Sequence, residues 1–471
     1  MESQKSYEKC VWNHKSRTKN VCRITKVVRK MCNFVPLTVK CYNMERLSFK
    51  DLLDWKNKKN RKPLLVEGAR QVGKTWLVKE FGKRFYKEVA YVNFEERKQL
   101  RNLFDEDFDT ERILFAIKTA TKTNMVPGET LIFLDEIQEA HEGLTALKYF
   151  AENAPEHHII TAGSLLGVEL HKKTSFPVGK IEFMVLRPLS FVEFLMAVGE
   201  QQLGELLCLK KWSTVRLFSD QLKMRLRQYY FVGGMPEAVK LFAENNDLQE
   251  VRQVQHAILA TYERDFSKHA PAEIVPRIRQ LWNSLPAQLS KENRKFIYGL
   301  VREGSRAREY EIAIDWIRDC GLIHQICRVK APRIPLKSYE DRSSFKIYLL
   351  DVGLLSAMCD LDQETLLKGN LVFTEFKGAL TEQYVMQELI GKFPLFYWSK
   401  DKSEQEVDFL IQHNGVVVPI EVKAEENLQA KSLKSFVREN NSTCAVRTSM
   451  SDYREESWMT NVPLYAIQSY F

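Results

Sequence analysis

Apolar residues recur at two different periods along this chain, and the change of period divides it. After Met44 the positions Leu47, Leu52, Leu53 and Trp55 predict an amphipathic helix. A short apolar run predicts a strand over Pro63–Glu67, followed by a helix over Gly73–Lys83 and a second strand over Val89–Phe94. Helices are expected over Glu96–Leu103 and Glu111–Lys122, then a buried strand over Leu131–Leu134, a helix over Leu144–Glu152 and a strand over His158–Thr161. Strands alternating with helices call for a parallel sheet covered on both faces, since parallel neighbours need a crossover between them. After Ile181–Leu186 the pattern turns helical from Ser190 to about Glu263, broken at Gly233-Gly234 and Pro236. It stays helical from about Pro276 to Val329, where Ile312, Ala313, Trp316, Ile317 and Leu322 carry the period, and a last α/β region opens near Phe373.

The 471 residues exceed what one hydrophobic core organises, so several domains are expected. The longest apolar stretch, Ile347–Met358, contains Asp351 and falls short of the ~18 residues of a membrane helix. The formal charge of +9 suggests a nucleic-acid partner until it is located. Residues 1–43 hold ten Lys or Arg against Glu2 and Glu8, which leaves only +1 for the rest. A nucleic-acid site in the folded part must therefore be a local patch. Residues 1–43 read as a disordered basic extension, or as sequence upstream of a start at Met44; their acid-poor character also faintly resembles an organelle presequence. The nine cysteines lack C-x₂-C spacing and read as free thiols of a reducing cytoplasm.

Candidate chemistry begins at Gly68-Ala69-Arg70-Gln71-Val72-Gly73-Lys74-Thr75, which fits G-x₄-G-K-[ST] between an expected strand and an expected helix. Glycines let the backbone curl so that its N–H groups and the helix N-terminus face phosphate oxygens. Lys74 would reach the β- and γ-phosphates of ATP, and the Thr75 hydroxyl would hold Mg²⁺. Leu131–Leu134 delivers Asp135 and Glu136 at the carboxyl end of a buried strand: Asp135 for the Mg²⁺ shell, Glu136 to orient or deprotonate water. A further strand ends in Ala162-Gly163-Ser164, where Ser164, or alternatively Thr161, would sense the γ-phosphate.

A second constellation surrounds Asn414-Gly415, a two-residue hairpin turn. Such a turn pairs Val407 with Val422, Phe409 with Ile420 and Ile411 with Val418, making one side apolar. On the other side Asp408 would face Glu421, and Glu406 would face Lys423. Directly opposed carboxylates destabilise a sheet, and a divalent cation between Asp408 and Glu421 would relieve them. Lys423 could then stabilise developing phosphorane charge, while Pro419 marks its strand as an edge or irregular one.

These motifs resemble those of prokaryotic AAA+-type P-loop ATPases that end in a restriction-endonuclease-like domain of uncharacterised function. The resemblance also rests on Pro188-Leu189-Ser190-Phe191, Glu193-Phe194 and Gly233-Gly234-Met235-Pro236-Glu237-Ala238. It implies an α/β fold class: a P-loop NTPase parallel sheet over 44–188, a helical lid over 189–270, a helical, winged-helix-like region over 271–345, and a small nuclease-like α/β domain over 346–471. It implies that Pro236 packs on the adenine side of the nucleotide, and that Glu382 completes an Asp408/Glu421/Lys423 nuclease set. Relatives often carry Gly-Arg where this chain has Gly179-Lys180, so the arginine finger is open between Lys180 and Arg187. Arg302, Arg306 and Arg308 could contact phosphate or form a solvated face with Glu309 and Glu311. The implied ligands are ATP and Mg²⁺; DNA or RNA and a homo-oligomeric state are compatible with it. Two functions follow: an ATPase whose last domain cuts nucleic acid, or an ATP-dependent regulatory switch whose last domain only binds.

Overall fold

The protein, a computed structural model, is described over residues 45–164, 179–290, 295–364, 374–401, 403, 405–426 and 430–471. The expected extension, 1–43, lies outside the described residues. Helix α1 (Ser48–Lys56) leads into β1 (Leu64–Gly68), α2 (Lys74–Phe85), β2 (Glu88–Asn93), α3 (Thr110–Thr121), β3 (Thr130–Asp135), α4 (Gly143–Asn153), β4 (His158–Ser164) and β5 (Glu182–Val185). The strands form one sheet in the order β2-β3-β4-β1-β5, every pairing parallel. All carboxyl ends therefore reach the same edge: Gly68 pairs with Ser164, and Asn93 with Asp135. That edge, at a change in strand order, is where open α/β sheets bind ligands. The near-continuous apolar runs have their cause here, since β3 is buried along its whole length.

One expected helix does not form. Glu96–Leu103 contributes a single 3₁₀ turn, Lys98–Leu100. The Asn93 side chain accepts the N–H groups of Glu95 and Glu96 at 2.8 and 3.1 Å, giving the backbone a turn in place of a helix start.

Beyond β5 the chain is helical: α5 (Phe191–Ala197), α6 (Gln201–Cys208), α7 (Trp212–Leu217), α8 (Ser219–Val232), α9 (Pro236–Asn245), α10 (Leu248–His269), α11 (Val275–Leu289), α12 (Tyr298–Val301) and α13 (Ala307–Asp319). Helix α5 starts in a capping box between Ser190 and Glu193, and α9 starts with Pro236 in its first turn. On α13, Ala313 and Ile317 are buried as expected, but Ile312 is exposed.

The expected helical stretch ends too late and the expected last domain begins too late. Ile323–Val329 is a strand, β6, paired antiparallel with β7 (Glu340–Leu349) and parallel with β8 (Phe396–Ser399). The boundary expected at 345/346 thus falls inside β7. The sheet continues through β9 (Glu406–His413), β10 (Val416–Val422), β11 (Val446–Ser449), β12 (Arg454–Glu455) and β13 (Thr460–Pro463), in the order β12-β13-β11-β10-β9-β8-β6-β7. Helices α14 (Val352–Met358), α15 (Thr374–Leu389), α16 (Lys431–Asn440) and α17 (Ile467–Tyr470) complete it. One hydrophobic cluster runs from α2 and β1 through α5 and α8 to α15 and the β9–β10 hairpin. A second fills the other face of the parallel sheet under α3 and α4. No described helix is long and apolar enough to cross a membrane.

Candidate functional site

The P-loop curls as its glycines allow. Gly73 has φ +92° and Gln71 φ +66°, and a Cβ on Gly68 would lie 2.3 Å from the Leu186 carbonyl oxygen. Lys74, first residue of α2, is buried, and its Nζ donates to the Gly68 and Ala69 carbonyls at 3.0 and 2.9 Å. Burial lowers its pKa to about 8, against the pull of Glu136 and Asp135. The Thr75 hydroxyl donates to Asp135 Oδ2 at 2.9 Å, so the two groups expected to share Mg²⁺ already touch. Tyr91 donates to the same oxygen at 3.1 Å. Burial raises the Asp135 carboxyl. Glu136 sits just beyond β3 in the left-handed region, φ +51° and ψ +48°, a conformation that concentrates at functional sites. The Gln138 amide donates to its carboxylate.

Other segments brace this loop. Arg46 donates to the Val72 carbonyl at 3.2 Å and pairs with Glu193 at 3.0 Å, both side chains buried. Arg70 pairs with Asp265 of α10 at 2.6 Å, and Tyr262 donates to the Arg70 carbonyl at 2.8 Å. Pro236 packs on Gly73, its Cγ 3.3 Å from where a Cβ would stand. The Ser164 backbone pairs with Gly68, but its side chain is not among the described ones. Thr161 is buried against the Leu64 carbonyl at 3.4 Å. Lys180 pairs with Glu152 at 2.9 Å, and Arg187 lies against Gly391 and near His324. Arg302, Arg306 and Arg308 are exposed.

In the last domain the hairpin has the expected register through Phe409–Ile420, and then departs from it. The Val422 N–H, which the regular ladder would give to Val407, goes to Asp408 Oδ2 at 2.7 Å. On the other edge of β9, Val407 and Glu406 pair with Trp398 and Ser399 of β8. Glu406 accordingly does not face Lys423; it pairs with Lys346 of β7. Asp408 hydrogen-bonds Glu382, which also accepts from Tyr348 at 3.0 Å and lies 3.7 Å from Lys346. Burial, and then the Glu382 charge, raise the Asp408 carboxyl. Glu421 pairs with Lys423 at 2.7 Å and accepts the Leu433 N–H at 3.2 Å. Pro419 is interior rather than at an edge. β10 pairs with β9 there, and its ladder with β11 begins only at Ile420, so the missing N–H interrupts nothing.

Compared with known proteins, residues 60–195 match the family described as an AAA domain. The parallel sheet and P-loop of these residues agree with an AAA-type, P-loop ATPase-like domain. Residues 223–365 and 377–467 match two domains of unknown function, DUF8612 and DUF4143. An uncharacterised protein of Methanocaldococcus jannaschii is 24% identical over 386 residues, 79% of this chain and 77% of its own. Among solved structures, a Walker-type ATPase of Pyrococcus abyssi superposes at TM-score 0.43 with 14% identity, covering 69% of this chain and 99% of that one. Orc1 of Aeropyrum pernix, solved with DNA, does so at TM-score 0.27 with 12% identity, covering 70% and 94%.

The P-loop domain is joined to the last domain through the turn ahead of Pro236. Asp351, fully buried and N-cap of α14, accepts the Gly234 N–H at 2.6 Å and the Leu354 N–H at 2.9 Å. Gln387 of α15 donates to Asp351 at 3.3 Å, and Glu388 accepts the Phe191 N–H at 3.0 Å. Burial pushes the Asp351 carboxyl up to about 6 and that of Glu388 to about 8. Sequence reasoning missed Arg46, Tyr91, Gln138, Asp265, Lys346 and Asp351. The Ser190–Glu193 capping spacing marks the partner of Arg46; apart from the local Gln138–Glu136 bond, the contacts of this set span tens to hundreds of residues.

Proposed function

We propose that the chain is an ATP-hydrolysing switch, in which nucleotide occupancy of the P-loop is passed to the C-terminal domain. The observation that carries the reading is the Thr75–Asp135 contact beside the buried Lys74. Lys74 now holds two loop carbonyls, and γ-phosphate oxygens would draw its ammonium away from them. Thr75 and Asp135 would hold Mg²⁺, which supplies charge neutralisation across the phosphates. Glu136 is the candidate base, kept turned by Gln138 until water and nucleotide arrive. Arg70 and the loop N–H groups would complete the phosphate cradle, with Ser164 as the γ-phosphate contact and Pro236 beside the nucleotide.

Transmission would run through Pro236, which touches Gly73, to Gly234, which is held by Asp351 of the C-terminal part. That part would engage DNA or RNA as a local patch. Lys431, Lys434 and Arg438 of α16 line, with Trp458, a surface groove of about 630 Å³. Cations beside an aromatic ring suit a nucleic-acid backbone and its bases. The test is steady-state phosphate release by the purified chain with Mg²⁺, with and without nucleic acid. Turnover that Lys74→Ala abolishes is expected; undiminished turnover in that variant would refute the reading.

A further inference from the structure

Asp408, expected to share a metal ion with Glu421, lies instead in a cluster of carboxylates around a cation that the chain itself supplies. Lys346, on β7, is fully buried. Its ammonium pairs with Glu406, lies 3.7 Å from Glu382 and stands 5.0 Å from the centre of the Tyr397 ring. A divalent ion needs several carboxylate oxygens converging on one point with lone pairs to give. Here those oxygens are engaged. Glu406 is on Lys346; Glu382 takes the Tyr348 hydroxyl and Asp408; Asp408 takes the Val422 N–H. Glu421 has one oxygen on Lys423 and the other on the Leu433 N–H. Among the described residues no group of three or more His, Cys, Asp or Glu is arranged to hold a metal ion.

We propose that Lys346 is a built-in counter-ion of the Glu382/Glu406/Asp408 cluster, standing in for the divalent metal of a nuclease site, so that this domain does not cut phosphodiester bonds. The physical case is one of charge and coordination. Acids this close cannot remain ionised in a buried cluster without a compensating cation. An ammonium provides one positive charge and three N–H donors, and so meets that need. It offers no coordination position for water, so it cannot generate the nucleophile that a metal supplies. On this reading Lys346, remote in sequence, takes the role expected of a metal ion between Asp408 and Glu421. The inference is independent of the ATPase reading, since it concerns a separate cluster.

The experiment is Mn²⁺ titration calorimetry on the full chain without nucleotide, in a Lys74→Ala background, with melting temperature as a second readout. The Lys74→Ala chain should show neither Mn²⁺ heat nor a melting shift that Asp408→Asn removes. Adding Lys346→Met should create a Mn²⁺ site at least about tenfold tighter, because the freed carboxylates become metal ligands. Adding Asp408→Asn to that variant should abolish the gained site, and Lys346→Arg, which keeps the charge, should not create one. A Mn²⁺ site already present with Lys346 intact and lost in Asp408→Asn overturns the proposal. So does a folded Lys346→Met variant that gains no site. If Lys346→Met does not fold, the Asp408→Asn comparison with Lys346 intact decides alone: a difference in Mn²⁺ response overturns the proposal, and identical responses uphold it.

Discussion

Replacing Asp351 by Ala would test the joint between the two ends of the chain. Its carboxylate accepts the Gly234 N–H at 2.6 Å, the Leu354 N–H at 2.9 Å and the Gln387 amide at 3.3 Å, all in the interior. An unsatisfied buried donor costs about 1–3 kcal/mol; the Gln387 amide keeps the Tyr229 hydroxyl at 2.9 Å, so the two backbone N–H groups give a gross loss of about 2–6 kcal/mol. An opposing effect acts at neutral pH. Burial raises the Asp351 pKa from 3.8 to about 6, and holding the charged form in the fold costs about 3 kcal/mol, which the variant no longer bears. Between those two values the folded chain keeps a proton that the unfolded chain has lost. Wild-type stability from this group is therefore greatest below about pH 4 and falls as pH rises through about 6. The deficit of Asp351→Ala should be the full gross loss near pH 4 and about 3 kcal/mol smaller at pH 7.5. Urea unfolding of both chains at the two pH values measures it, and contributions from other groups such as Glu388 largely cancel in the difference. ATP affinity should fall in the same variant, because the turn that seats Pro236 on Gly73 loses its anchor. A deficit independent of pH, or a destabilised variant with unchanged ATP affinity, would refute the reasoning.

Lys74→Ala should weaken ATP binding by roughly a hundredfold, as expected for loss of charge-assisted hydrogen bonds, and calorimetry reads it directly. Because the free loop holds Lys74 at about 8 and phosphates favour its charged form, ATP binding should take up protons above that pH and weaken as pH rises. Binding enthalpies in buffers of different ionisation heat at pH 8.5 would reveal it; no buffer dependence would contradict it. Glu136→Gln should retain ATP and slow hydrolysis by ~10²-fold or more, measured as single-turnover phosphate release. Gly234→Ala should destabilise by about 3 kcal/mol or more, because its Cβ would stand 2.1 Å from the Leu189 carbonyl oxygen; unaltered urea unfolding would show the turn to be tolerant.

Some of this could be read along the chain and some could not. The P-loop is a run of eight residues, and its strand and helix follow from local apolar spacing, so Lys74 and Thr75 were legible. Asp135 and Glu136 were legible for the same reason, as acids at the end of a buried run. The hairpin register to Phe409–Ile420 followed from a two-residue turn. What lay beyond reach is of one physical kind. Ile323–Val329 looked helical because short apolar runs carry no firm period, and only pairing with β7 and β8 makes it a strand. Asp408 left the expected ladder because Glu382, on a separate helix, stands within its reach. Lys346 and Asp351 read as residues in or beside an apolar stretch until the fold brought Glu406 to one and Gly234 to the other. Sequence alone determined the groups that a single turn or strand places. The tertiary structure decided the partners of each buried charge, because a charge removed from water must be met by whatever the fold packs against it, and that neighbour can lie anywhere along the chain.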